Sequence, residues 1–124
     1  MRFLLLFALL VLMGSCNAPA RECLQFHEGT FRFEATVDGV EQATVFTRSK
    51  DLEVSEYLGK KDSASIRWIN DCEYIVTNLN PKTKAEEKPI HMKILSTGEN
   101  SYTFEYKLVG SSKSSRGTAY RIAP

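Results

Sequence analysis

The reactive side chains of this 124-residue chain are few and scattered along the sequence. Its two histidines, His27 and His91, would need neighbouring carboxylates to form an acid–base pair or a metal site. His27 precedes the first predicted strand and His91 lies on the polar phase of another, so we expect both at the surface. The serine-rich segment 110–117 lacks the spacing of a phosphate-binding loop. The sequence therefore predicts no catalytic residue, no metal and no cofactor, and a protein that is not an enzyme.

The first fifteen residues have the layout of a secretory signal. Arg2 is followed by an uncharged apolar run over residues 4–13, and the small residues Gly14 and Ser15 precede Cys16. The run is about ten residues long, whereas a membrane-spanning helix needs about twenty. We expect an exported chain; the alternative is a buried amino-terminal segment of a cytoplasmic protein.

The segment Leu12-Met13-Gly14-Ser15-Cys16 resembles the lipobox of bacterial lipoproteins. The resemblance implies that residues 1–15 are removed as a signal peptide, that Cys16 receives a diacylglyceryl group, and that its new amino group is acylated, for example with palmitate. An ordinary signal with Cys16 left as a thiol is the alternative. Asn17 stands where an aspartate favours the inner membrane in that family, so the resemblance points to the outer membrane and the periplasm. We expect residues 16–22 to be a lipidated tether and residues 23–124 to form one domain.

The charge of the exported part excludes one class of partner. Removal of residues 1–15 leaves a single domain of about 110 residues and takes away only Arg2 among the charged residues. Basic and acidic side chains then balance at 15 each. Nucleic-acid binding depends on clustered lysines and arginines that replace counterions, so we expect no nucleic-acid partner.

Two cysteines remain when Cys16 is lipidated. An exported protein lies in an oxidising compartment, so we expect a disulfide between Cys23 and Cys72. Two free buried thiols or a metal pair are the alternatives, although neither cysteine has a second cysteine or a histidine at ligand spacing. The bond would attach the tether to the body of the domain.

Segments of alternating apolar and polar residues run through the rest of the chain. Phe31, Phe33, Ala35 and Val37 share one phase, which predicts a half-buried strand. Asp38-Gly39 predicts a tight turn after this strand. Further strands are expected over residues 40–48, 52–58, 63–70, 73–79, 89–96, 101–109 and 117–122, with a turn over residues 59–62 and a solvated loop over residues 80–88.

The short connections favour an antiparallel meander of about eight strands. Such a meander buries its apolar phase best by closing on itself, which also removes exposed strand edges. The predicted fold is therefore all-β: a small up-and-down barrel, lipocalin-like in the broad sense, or a strongly curved sandwich.

One acidic residue and several aromatic residues are candidates for a ligand site. Glu56 shares the phase of Leu52, Val54 and Leu58, and this phase could place it inside the barrel; the alternatives are a position near the rim or a bulged strand. An inward charge either pairs, binds a ligand or lies at a mouth. Aromatic side chains of a small barrel more often fill its core than line a ligand cavity. If a cavity exists, the ligand-binding candidates are Glu56, Trp68, Tyr102, Phe104 and Tyr106.

Two motifs of the exported part resemble a family of short lipoproteins of Gram-negative bacteria. One is Cys-x-x-Phe-x-x-Gly-x-Phe, over residues 23–31, and the other is Trp-x-x-Asp-Cys-x-Tyr, over residues 68–74. The resemblance concerns fold and disulfide rather than chemistry. Some members of the family carry the label DNA topoisomerase IV. That label has no support here, because such an enzyme needs an ATP-binding fold, an acidic metal cluster and a DNA-binding domain.

We therefore expect a non-enzymatic envelope lipoprotein whose barrel binds an apolar or amphipathic ligand. The alternative is a structural or accessory subunit that docks on an outer-membrane complex through its outer surface, and a hydrolase is a third possibility. A large internal pocket favours the first function. A filled core with an exposed apolar strand face favours the second.

Overall fold

A computed structural model describes residues 21–37 and 40–124, and for residues 35–37 and 40 it describes the backbone alone. The predicted signal peptide, Cys16 with most of the tether, and the Asp38-Gly39 turn lie outside these residues. The chain forms a short 3₁₀ helix, Cys23–Phe26, followed by β1 Gly29–Val37, β2 Val40–Ser49, β3 Leu52–Tyr57, β4 Lys60–Asn70, β5 Glu73–Asn78, β6 Ile90–Thr97, β7 Ser101–Leu108 and β8 Ser115–Ala123.

The eight strands form a closed antiparallel up-and-down barrel in chain order, which confirms the predicted fold. Each strand pairs with the next, and β1 also pairs with β8 to close the sheet, with Phe33 opposite Ala119. Closure leaves none of the eight described strands at an open edge of the sheet. All strand pairings lie within residues 29–123, so the segment 21–124 contains the whole domain that the structure describes.

The turn between β3 and β4 differs from the prediction. Lys60, Lys61 and Asp62 belong to β4 rather than to a turn. The turn consists of two residues, Leu58 and Gly59, whose φ angles are 50° and 74°. Two successive left-handed residues give the tight hairpin whose twist matches that of its strands. Because Leu58 fits the alternation of β3, the pattern placed it in the strand and the turn at residues 59–62, one residue too far along the chain.

The side-chain phase predicted for β3 is also wrong. Glu53 and Ser55 line the interior of the barrel, whereas Glu56 is exposed on the outer face. Leu52 and Leu58 are likewise exposed. The inward face of β3 is polar because it lies against a buried arginine, so the apolar residues of this strand do not mark the core side.

One end of the barrel is closed by the segment 21–28, here called the plug. Phe26 is completely buried inside the barrel end, and Cys23 is bonded to Cys72 in the β4–β5 turn, with 5.2 Å between their Cα atoms. This confirms the predicted disulfide. The buried core lies largely beneath the plug and consists of Cys23, Phe26, Phe31, Phe46, Ile94, Tyr102, Phe104 and Ala119.

Side chains from several strands hold the plug in place. Arg121 of β8 donates hydrogen bonds to the carbonyl oxygens of Gln25 and, at 3.1 Å, of Glu28. Its guanidinium also lies over the rings of Phe26 and Phe31, at 5.3 and 5.0 Å from their centres. Arg21 donates to the carbonyl oxygen of Ile94 at 2.9 Å. These contacts join the plug to two parts of the barrel wall in addition to the disulfide.

Candidate functional site

The half of the barrel away from the plug contains a cavity of about 250 Å³. This end, here called the mouth, carries the β1–β2, β3–β4, β5–β6 and β7–β8 connections. The walls of the cavity are apolar and come from Phe33 of β1, Met92 of β6, and Phe104 and Tyr106 of β7. Each of these side chains is inward because of the two-residue alternation of its strand.

A glycine on β8 makes room for two of the wall aromatics. Gly117 lies opposite Phe104 in the β7–β8 pairing. A Cβ atom at Gly117 would overlap the Phe33 ring and would lie 3.0 Å from Cζ of Phe104. Phe33 and Phe104 therefore pack edge to face, with 5.3 Å between ring centres, because β8 has no side chain at this position.

Arg48 of β2 forms the floor of the cavity and is only 1% exposed. Its Nε–H donates to Glu53 Oε2 at 3.0 Å, and Nη1 donates to the carbonyl oxygen of Phe26 at 2.8 Å. Its Nη2 donates to the hydroxyl oxygens of Tyr74 and Tyr102, at 2.7 and 3.1 Å. A guanidinium has five N–H groups, so four of them are used. The floor is thus a buried, hydrogen-bonded ion pair.

Aromatic rings surround the guanidinium of Arg48. The distances from its central carbon to the ring centres run from 4.6 to 6.0 Å, in the order Tyr74, Phe46, Phe31, Trp68 and Tyr102. Desolvated contacts between a cation and an aromatic face contribute up to about 2 kcal/mol each. An aromatic cage of this kind usually receives a cationic ligand, but here the protein's own arginine occupies it.

The ionisation of the floor is fixed by these contacts. Burial alone would lower the pKa of Arg48, but Tyr74, Tyr102 and the Glu53 carboxylate together raise this pKa above its ordinary value. The guanidinium therefore stays cationic. Burial also raises the pKa of Tyr74 and that of Tyr102 above the ordinary tyrosine value, so both hydroxyls stay neutral.

The aromatic residues singled out from the sequence lie on the inside of the barrel, but at different depths. Tyr102 is buried in the floor, and Phe104 and Tyr106 line the cavity. Trp68 lies behind the floor, against Tyr74 on one side and stacked on His27 on the other, with ring centres 4.4 and 3.4 Å away. Its buried indole N–H has no hydrogen-bond partner among the described residues.

Glu56 does not point into the barrel but is exposed on its outer face, and the acid at the cavity is Glu53. Sequence reasoning also missed Arg48, which forms the centre of the floor. A signal for Arg48 was present, because it lies two residues after the core residue Phe46 and so on the same face of β2. The hydroxyl groups of Thr44 and Ser55 complete the polar side of the cavity.

The two histidines lie apart, His27 in the plug and His91 on the outer face of β6. His27 Nε2 bonds to the carbonyl oxygen of Asp71 at 2.8 Å, whereas His91 pairs with Glu73 at 3.1 Å. A hydrogen bond from the Asn70 amide, helped by the charge of His91, lowers the pKa of Glu73. Neither histidine reaches the cavity. Over the described residues, no group of three or more His, Cys, Asp or Glu side chains could hold a metal ion.

Comparison with known proteins identifies no relative. No protein-family model, curated protein or solved structure matches the chain. In the part of the chain that the structure describes, no helix has both the length and the apolar character needed to cross a membrane. The resemblance to short bacterial lipoproteins therefore stays a prediction from the sequence.

Proposed function

We propose that this chain is a non-enzymatic, lipid-anchored binding protein of the bacterial cell envelope, and that its barrel holds a small apolar or amphipathic ligand. The observation that carries the proposal is the apolar cavity of about 250 Å³ between the Arg48 floor and the mouth. Ligand sites are typically concave and apolar, with a few polar groups at defined positions. The cavity walls and the polar floor fit that description.

The size of the cavity limits the ligand. An apolar cavity of about 150 Å³ already accepts benzene, whereas sites for drug-sized ligands begin at about 300 Å³. A volume of about 250 Å³ therefore suits a single substituted ring or a short alkyl segment. A whole phospholipid is too large, although the end of one acyl chain would fit.

A lipid anchor at Cys16 would act on the plug end of the barrel. Arg21, where the described chain begins, donates to Ile94 and belongs to the plug. Five residues of chain reach about 17 Å at most, so the plug end would be held near the membrane. The mouth would then open on the far side, toward the periplasm, where a ligand in solution could enter.

The binding proposal is tested by titrating residues 17–124 with toluene and following ligand signals by saturation-transfer NMR. We expect binding that is lost in the variant with Thr44→Phe and Ser55→Phe, because both side chains line the cavity. The matched control is Thr47→Phe with Val54→Phe. These residues are partners in the β2–β3 pairing on the outer face, so the control variant should still bind.

Absence of toluene binding to the wild-type domain, or binding that the filled variant retains, would overturn the proposal. A domain that binds nothing inside would favour the alternative of a docking subunit. Its outer surface offers an exposed apolar pair on β8, Tyr120 and Ile122, each 55% exposed.

The anchor is tested separately. Mass spectrometry of the membrane-extracted protein should show a chain that begins at acylated Cys16, and Cys16→Ser should release the domain from the membrane. A chain beginning elsewhere, or a soluble wild-type product, would contradict the lipoprotein proposal and leave the binding proposal intact.

A further inference from the structure

The acid at the floor is more exposed than the arginine to which it is bonded. Both Glu53 and Arg48 line the cavity, but the side chain of Glu53 is 16% exposed and that of Arg48 only 1%. Arg48 binds Glu53 through Oε2, so Oε1 of the same carboxylate is not used by the ion pair, and Glu53 lines the cavity. A ligand that reaches the floor therefore meets a hydrogen-bond acceptor with negative charge.

The arginine is not available to receive an anion. A ligand carboxylate binds an arginine best through two parallel N–H groups. In Arg48, Nε and both donors of Nη2 are already used, by Glu53, Tyr74 and Tyr102, and Nη1 holds the plug through Phe26. One N–H of Nη1 is left, so a carboxylate could bind this guanidinium through two N–H groups only by displacing Glu53 or by breaking the contacts that close the barrel end.

The remaining polar groups of the cavity suit a different head group. Thr44 and Ser55 present hydroxyls, which both donate and accept hydrogen bonds, and Glu53 only accepts. A head group that donates, such as an amide or a hydroxyl, would therefore be bonded at the floor. A carboxylate would be desolvated beside a like charge, which is unfavourable.

We infer that the cavity selects apolar ligands whose head group donates hydrogen bonds and rejects carboxylates, an inference that rests on the proposed binding function. Glu53 is the residue that determines this specificity. Arg48 is a positioning residue that holds the carboxylate at the floor.

The test compares benzamide with benzoate, two probes of nearly equal shape that differ in charge and in donor capacity. Their dissociation constants for residues 17–124 are measured by calorimetry at neutral pH, with toluene as the probe without a head group. We expect benzamide to bind at least tenfold more tightly than benzoate. Glu53→Gln should reduce this ratio by about tenfold, because the repelling charge is lost while the side chain keeps its size. Glu56→Gln, on the outer face of the same strand, should leave the ratio unchanged.

The outcomes separate the inference from the function on which it rests. Binding of toluene together with equal affinity for benzamide and benzoate, or a preference for benzoate, overturns the inference alone. Failure of all three probes overturns the binding function and the inference with it. A ratio that Glu56→Gln changes as much as Glu53→Gln removes the assignment to Glu53. The wild-type ratio decides the matter even when Glu53→Gln does not fold.

Discussion

The plug half and the mouth half of the barrel are built from the same alternating strands but are filled differently. Beneath the plug, Phe26 and Phe31 are completely buried, and the polar groups of Arg48 are nearly all hydrogen-bonded. Toward the mouth, the inward side chains leave a cavity of about 250 Å³. Native cores are close-packed, and a void of this size loses contacts on every side. The plug half therefore contains the close packing that stabilises the domain, and the mouth half contains the cavity of the proposed binding function.

The two ends also differ in charge, although the net charge is near zero. At the mouth, the three described loops with the strand residues beside them contain Lys60, Lys82, Lys84, Lys88 and Lys113 against Glu86 and Glu87. The plug end, counted in the same way, contains Arg21 and Lys50 against Glu22, Glu28, Asp51, Asp71, Glu73 and Glu99. A charged partner would therefore meet a basic mouth and an acidic plug end.

The largest expected effect is the loss of Arg48. Arg48→Leu leaves Glu53 without its partner and removes the donors of two buried tyrosine hydroxyls. Removing one member of a buried ion pair typically lowers the free energy of unfolding by about 3–5 kcal/mol. Urea unfolding followed by the fluorescence of Trp68, the single tryptophan, measures this change. Arg67→Leu on the exposed face of β4 is the control and should change stability by less than about 0.5 kcal/mol.

The disulfide should contribute the next largest amount to the plug half. The bond joins Cys23 to Cys72 across a sequence separation of 49 residues, and disulfides typically contribute about 2–4 kcal/mol. The double change Cys23→Ser with Cys72→Ser should lower the thermal midpoint and keep the strand signal in circular dichroism. Equal midpoints for oxidised and reduced wild-type protein would contradict this prediction.

Substitutions of two glycines, Gly29 in the plug half and Gly117 in the mouth half, test whether the two halves of the barrel differ in packing. Gly29 has a φ angle of 132°, and a Cβ atom there would overlap the Arg121 guanidinium that holds the plug. Gly29→Ala should lower the free energy of unfolding by about 2–3 kcal/mol, through backbone strain and overpacking. Gly117→Ala should lower it by only about 1 kcal/mol, because Phe33 can move into the adjacent cavity. Equal effects in chemical denaturation would mean that the mouth half is packed as tightly as the plug half.

The smallest expected effect on stability comes from the hydrogen bond between Asn70 and Glu73, on the outer face of the barrel at the plug end. Asn70→Ala removes the hydrogen bond that lowers the pKa of Glu73, so this pKa should rise toward its ordinary value in an NMR titration of the side-chain carboxyl. A lowered carboxyl pKa gives stability that is present above the ordinary pKa and is lost as the pH falls through the folded value. Asn70→Ala should therefore weaken the acid dependence of stability. An unchanged titration of Glu73 would show that His91, rather than Asn70, holds the carboxylate.

The barrel and the disulfide could be predicted because they depend on repeated or simple signals. The strand of Phe31 and Phe33 alternates over its whole length, and β7 does the same with Tyr102, Phe104 and Tyr106. Short connections then leave few topologies other than a meander. The disulfide could be predicted because an exported chain lies in an oxidising compartment and only two cysteines remain when Cys16 is lipidated.

The site could be predicted only in part, because its polar residues face inward. On β3 the inward residues are Glu53 and Ser55, so the apolar phase indicates the wrong face. Arg48 has the same property on β2, and its burial depends on partners more than twenty residues away, Phe26, Tyr74 and Tyr102. Alternation identifies a strand, but it identifies the buried face only when that face is apolar. The plug was missed because a 3₁₀ helix of four residues has no periodic pattern.

The pairing of β1 with β8 also determines when the domain can become folded. Thr30 of the first strand lies opposite Ala123 of the eighth, so the sheet cannot close before β8 is in place. Contacts between residues so distant in sequence form slowly, because the intervening chain must first be ordered. Until β8 pairs with both β1 and β7, these two strands are open edges of the sheet that could pair with other chains. The nine residues of β8, Ser115–Ala123, thus control both the folding rate and the period during which the chain can aggregate.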